Sequence, residues 1–273
     1  MATLPNHLPK LATDPTGAAL GLQLPPGRLL DATDEGPWHE PLIWLADGRA
    51  ALSGWAALRR TAPAVGLLPV LLDVGSGHGG PESWELMPGE MSYPGDHDVE
   101  EVLAELWDAC AQDDADWPGQ RDAERADAAD AGHVTDPGLD PESLAADFVG
   151  SLLDGDGPLE EPRLALVPAR RSADIPAALG WTGPVNHEDD TGRLSAVLRS
   201  WEDRFGIRVV ALGFDTLLVS VAAPPTTLAE AEALAAEHLA FCPDNLWQGS
   251  EPTLRGYAEN HLLGRPAWHF WWD

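Results

Sequence analysis

The sequence predicts an α+β protein: a C-terminal ferredoxin-like βαββαβ sandwich with one inserted helix, preceded by a smaller mixed α/β N-terminal domain. Three observations carry that expectation. After residue 161, short β-rich runs alternate with capped helical stretches in the order strand, helix, strand, strand, helix, strand. Before residue 112, two apolar runs and one amphipathic stretch form a separate mixed pattern. Between them, Asp108 to Glu161 holds 16 acidic residues and two arginines, a net −14 in 54 positions of a chain whose total is −29. The predicted organisation is an N-terminal region over 1–112, an acidic, partly disordered linker over 113–160, and a C-terminal domain over 161–273.

Pro41 to Ala46 (PLIWLA) and Gly66 to Asp73 (GLLPVLLD) are short apolar runs bounded by Gly, Pro and Asp, and read as buried strands. A helix follows from Val99 to Ala111. Asp98 is its cap, Glu101 has capping-box spacing, and Val99, Val102, Leu103, Leu106 and Cys110 form the apolar stripe. After the acidic stretch, Arg163 to Val167 reads as a strand, and Leu194, Val197, Leu198, Trp201 and Phe205 recur at helical spacing up to Gly206, a C-terminal glycine. Ile207 to Leu212 and Leu217 to Ala222 flank the turn-like Gly213 to Thr216 and should pair as a hairpin. Pro224 and Pro225 stop that strand. Thr227 with Glu230 then opens the second long helix. A shorter helix, Pro252 to Leu263, precedes the last strand, Ala267 to Trp272.

Alternation along that last strand puts Trp268, Phe270 and Trp272 on one sheet face and His269 and Trp271 on the other. If the first set packs on the helices, the second face must be covered by the N-terminal domain or used for binding. Covering is the expectation, because large exposed apolar patches are unusual in soluble monomers.

Charge and composition exclude several function classes. A net charge of −29 argues against nucleic acid, whose binding relies on a positive patch. The prolines of the first 17 residues interrupt any signal-like apolar stretch, and no run is long enough to span a membrane. The expected setting is the cytoplasm, with Cys110 and Cys242 as reduced thiols. Fifteen arginines against a single lysine, with abundant Ala, Gly and Pro, carry the codon bias of a GC-rich bacterial genome. Twelve tryptophans supply buried area for cores or interfaces, and Trp247, Trp268, Trp271 and Trp272 crowd the last 27 residues.

The segments Ile175 to Asn186 (IPAALGWTGPVN), Leu198 to Gly206 (LRSWEDRFG), Phe241 to Asn245 (FCPDN) and Phe270 to Asp273 (FWWD) together resemble the bacterial domain-of-unknown-function family 4253, common in actinobacteria. The resemblance covers the last 110 or so residues. It implies no reaction, so it assigns no catalytic role.

The candidate residues come from the chain itself. His238 and Cys242 sit at i and i+4, on one helix face, a spacing open to a metal or an imidazole-activated thiolate. A buried thiol in a core is the more ordinary reading. Asp244 and Asn245 follow Pro243 as turn residues. Asn186, His187, Glu188, Asp189 and Asp190 cluster ahead of the Leu194 helix, where capping by an Asp is favoured over cation binding. Asp96, His97 and Asp98 form a similar group at a helix start. No phosphate loop, nucleophile elbow or HExxH helix occurs, so no metal or cofactor is expected.

Two functions follow. The leading one is a non-catalytic protein-interaction or regulatory module, immunity-like in kind, whose acidic surface suits a basic protein partner. The alternative is a hydrolase or other small-molecule enzyme with its site between the two domains, built from Trp181, Asn186, His187, His238, Cys242 and Asp244. His269 and Trp271 join these as binding candidates on the second sheet face. The two readings separate on geometry: convergence of at least two of the polar groups in a concave, aromatic-lined cavity favours the enzyme.

Overall fold

Seven strands form one mixed sheet in the order β1-β4-β6-β5-β7-β8-β9, beside a two-stranded ribbon of β2 (Ala32–Thr33) and β3 (Gly36–Pro37). The large sheet comprises β1 (Gly27–Leu30), β4 (Ile43–Arg49), β5 (Leu67–Asp73), β6 (Pro162–Pro168), β7 (Arg208–Leu212), β8 (Thr216–Ser220) and β9 (Ala267–Trp271). The computed structural model describes residues 5–110, 118–119, 140–154, 157–251 and 253–273. Most of the predicted acidic linker lies outside the described residues.

The βαββαβ order is present along the chain, and the protein is α+β, but the ferredoxin-like neighbour pattern is not formed. β5 lies between β6 and β7, antiparallel to the first and parallel to the second, and β9 pairs with β8 alone at the sheet edge. The reason is in β5 itself. All seven of its residues are buried, so it needs cover on both faces and neighbours on both edges. A strand from before residue 112 thus completes the sheet of the C-terminal part.

Alternation along the strands feeds two cores. One face presents Ile43, Leu45, Val70, Leu72, Ala165 and Val167 to the helices α2 (Val99–Cys110), α4 (Ile175–Leu179), α5 (Thr191–Phe205) and α6 (Leu228–Phe241). The other face presents Trp44, Leu71, Leu164, Leu166 and Leu218 to α1 (Leu52–Thr61) and α3 (Pro141–Leu153). A register shift between Val209 and Ala211 lets Val210 and Ala211 both point to this second core.

Helix α3 occupies residues expected to belong to the linker. Its cap, Asp140, accepts from the backbone N–H groups of Glu142 and Ser143, Pro141 fits the first helical position, and Ala145, Val149 and Leu152 bury one stripe. Leu159 is buried as well. The acidic stretch therefore ends in packed structure from Pro141 onward. The other caps follow the sequence: Asp98 accepts from Glu100 and Glu101 N–H, Asp190 accepts from Gly192 N–H, and Thr227 with Glu230 closes a full capping box. Gly206 ends α5 at φ 62°, where a Cβ would be strained. Two short helices, α7 (Asp244–Trp247) and α8 (Leu254–Tyr257), lead into β9, with one π turn over Ala258–Leu262.

Trp268, Phe270 and Trp272 do pack on the helices. The opposite face is covered through β8, where α3 reaches, but His269 on the edge strand is exposed and Trp271 half-buried. At β8 the cover comes from α3, within the residues predicted as linker, and it stops one strand short.

Candidate functional site

The candidate residues gather around β9, and Asn245 is their hub. An edge strand leaves backbone N–H and C=O groups without a neighbour. Asn245 supplies one: its Nδ2 donates to the His269 carbonyl at 2.7 Å, and its Oδ1 accepts from Trp271 N–H at 3.2 Å. One side-chain amide thus makes the two bonds of a missing strand partner. Pro243 and α7 place it there, so the FCPDN segment is a clamp on the terminal strand.

The remaining members extend this clamp. The Cys242 thiol donates to the Trp271 carbonyl at 3.0 Å, and burial pushes it far above the ordinary thiol range. It is no nucleophile at neutral pH. Asp244 Oδ2 accepts from Asp273 N–H at 3.0 Å, and Asn186 Nδ2 donates to the Asp273 carbonyl at 2.9 Å. His187 Nε2–H donates to the Ala240 carbonyl at 2.8 Å, and its burial lowers its pKa. Trp181 stands deeper, its indole N–H shared between the carbonyls of Gly213 (3.0 Å) and Phe214 (3.1 Å).

His238 is fully buried between Trp201, Trp268 and Phe270, with ring centroids 4.7 to 4.8 Å away. Its Nδ1 meets the Tyr257 hydroxyl at 3.2 Å, and Asn245 Nδ2 donates to the same hydroxyl at 3.1 Å. Burial, with the charges of Arg204 and His261, holds this imidazole neutral, well below its usual range. Next to it, Glu237 is 1% exposed and takes a bidentate bond from Arg204 and a 2.7 Å bond from the Trp201 indole. His238 and Cys242 do not converge: His238 Nδ1 meets the Tyr257 hydroxyl and the Cys242 thiol donates to the Trp271 carbonyl. Among the described residues, no group of three or more His, Cys, Asp or Glu is placed to hold a metal ion.

A cavity of about 460 Å³ opens beside β9, lined among others by Asn245, Tyr257, His261, Arg265 and His269. Of the candidates, only His269 reaches it. Trp247 behaves differently from the other tryptophans here: it is 51% exposed on α7, and Val185 is 46% exposed on the neighbouring loop. Their chain neighbours, Gln248 and Asn186, both donate to Asp273. Asn245 and Tyr257 were missed as site residues. The signal for Asn245 was its place directly after a helix-ending proline; for Tyr257 the chain carries none, since its partners lie 12 and 19 residues away.

The segments that resemble a known family lie in this half of the molecule. The family model described as a domain of unknown function, DUF4253, matches residues 163–273, the part that holds β6 to β9 and the whole clamp. No curated protein and no solved structure matches the chain. Among the described residues, no helix is long and apolar enough to cross a membrane.

Proposed function

We infer that the chain is a non-catalytic protein-interaction or regulatory module whose partner is a basic protein. One observation carries the reading: Cys242, Asp244 and Asn245 are committed to β9 and Asp273, His187 to the Ala240 carbonyl and His238 to the Tyr257 hydroxyl, while Trp247 and Val185 are exposed. A buried, bonded thiol and a neutral, caged imidazole are poor reagents. An exposed tryptophan with acidic neighbours has the make-up of an interface anchor with a charged rim. The net charge of −29 adds long-range attraction for a cationic partner.

The test is capture from a lysate of the parent organism at low salt, comparing wild type with Trp247→Ala. The expected result is a basic protein that binds wild type, elutes by about 0.5 M salt, where screening is strong, and binds the variant at least about tenfold more weakly. A wild type and variant that capture the same proteins equally would overturn the reading.

A further inference from the structure

Arginine is scarce in this chain against 45 acidic residues, yet five of the fifteen arginines line one cleft of about 630 Å³. Arg59 and Arg60 come from the end of α1, Arg170 and Arg171 follow β6, and Arg208 opens β7. The opposite wall is the first turn of α3 with Glu202 of α5. The site thus needs residues from both sides of the acidic stretch, and it shares none with the clamp around β9.

Structural ion pairing accounts for part of this cluster. Arg208 Nε donates to Glu142 at 2.6 Å and its Nη1 lies 3.5 Å from Glu202, while Arg171 pairs with Asp203 at 2.5 Å and lies 3.7 Å from Glu202. Arg59 also touches Glu142. Asp140, the third carboxylate of the wall, is spent on capping α3 and accepts from Ser143 Oγ as well. Those pairs leave cationic capacity over. Arg59 Nε is buried without a hydrogen-bond partner. Arg60 and Arg170 are exposed, and among the described residues no carboxylate lies within ion-pair distance of either. Burial first, then the neighbouring Arg208 charge, pushes the Arg59 guanidinium down to about 10, while Glu202 and Asp140 act to raise it.

We propose that this cleft binds a small organic anion through a carboxylate or phosphate group, with Arg59, Arg60 and Arg170 as the recognising side chains. Guanidinium forks match the geometry of both oxyanions and bond them bidentately. The volume falls in the range of small-molecule sites. Ala56, Pro63, Leu68 and Ala146 give the cleft an apolar floor, so the ligand carries a short apolar body behind its charged group. The negative surface elsewhere repels free anions at long range, so binding here depends on contact with the arginines.

The experiment is titration calorimetry and thermal melting with orthophosphate and with citrate, each against chloride at equal ionic strength. Saturable binding of at least one is expected, weakened about tenfold or more in Arg60→Gln/Arg170→Gln. The double variant should keep the wild-type melting temperature without ligand, because both side chains are exposed; if it does not fold, either single variant, several-fold weaker, replaces it. Arg265→Gln, an exposed arginine outside the cleft, should bind as wild type does. A response to phosphate alone assigns a phosphate-bearing ligand, and a response to citrate alone a carboxylate. Absence of saturable binding by both probes, or equal binding by wild type and the double variant, overturns the proposal.

Discussion

The clamp around β9 and the arginine cleft solve opposite problems with different chemistry. At β9 the sheet must end, so short side chains close it: an Asn amide stands in for a strand, a thiol donates to the Trp271 carbonyl, the Asp244 carboxylate accepts from Asp273 N–H, and tryptophans exclude water. In the cleft, charges from five segments meet with more arginine than carboxylate, and solvent still reaches them. The bonded groups of the clamp are sealed from water, whereas Arg60 and Arg170 of the cleft are exposed and open to a solute. The two regions therefore should respond oppositely to the loss of a polar side chain.

The largest effect belongs to the buried pair beside the clamp. Glu237→Ala leaves Arg204, 16% exposed, without its bidentate acceptor and the Trp201 indole without a bond. The expected loss is about 3–5 kcal/mol of unfolding free energy, read by urea denaturation. A loss below about 1 kcal/mol would mean that water replaces the carboxylate, and the contrast between the two regions would fail. Asn245→Ala comes next. It removes two backbone bonds of the edge strand and the bond to Tyr257, at roughly 1 kcal/mol each, so about 2–3 kcal/mol is expected. Hydrogen exchange should report the same change locally, as faster exchange of Trp271 N–H.

How much of this was legible beforehand differs between local and long-range features. Asp98, Asp190, Thr227 and Gly206 act within three or four residues of their own position, so the sequence showed both the helices and their ends. The partners of β5 lie about 90 to 140 residues away along the chain, and only its unbroken apolar run hinted that it is central. Helix α3 had readable signals, an Asp-Pro-Glu start and a buried stripe, but the surrounding charge made it look like linker. The absence of a side-chain cap hid α1, whose Ala51 makes no capping bond. Asn186, His187, Cys242 and Asp244, reactive by residue type, do come together, but in a scaffold. The cleft carried one sequence mark that composition alone obscures: the two Arg-Arg pairs of the chain, 59–60 and 170–171, both line it.

Acid probes the clamp more gently. His238 and His187 both have lowered pKa values through burial, so below about pH 6.5 the unfolded chain takes up protons that the folded chain refuses. Stability from these groups is complete above that pH and falls as pH drops below it, by up to about 1.4 kcal/mol per pH unit for each histidine that stays neutral. Glu188, whose pKa burial raises, works in the other direction, favouring the folded state as it gains its proton. Denaturation of wild type and His238→Phe at pH 7, 6 and 5 separates them: His238 is lowered further than His187 or His269, which burial also lowers, so the variant should lose the largest single share of the histidine slope. An unchanged slope would show that His238 is protonated in the folded protein.

The smallest effect on stability should come from the cleft, and there the sign for binding reverses. Glu142 is 43% exposed and shares its carboxylate between Arg59 and Arg208. Such pairs are screened by water and typically contribute under about 1 kcal/mol, so Glu142→Gln should lower stability by that amount or less. The same substitution removes a carboxylate that competes with a bound anion for two arginines. Phosphate or citrate should then bind the variant several-fold more tightly than wild type, whereas removing a clamp residue such as Asn245 should leave anion binding unchanged. If Glu142→Gln binds anions no better, its carboxylate is not a competitor and the arginines it holds belong to the scaffold, as the polar groups around β9 do.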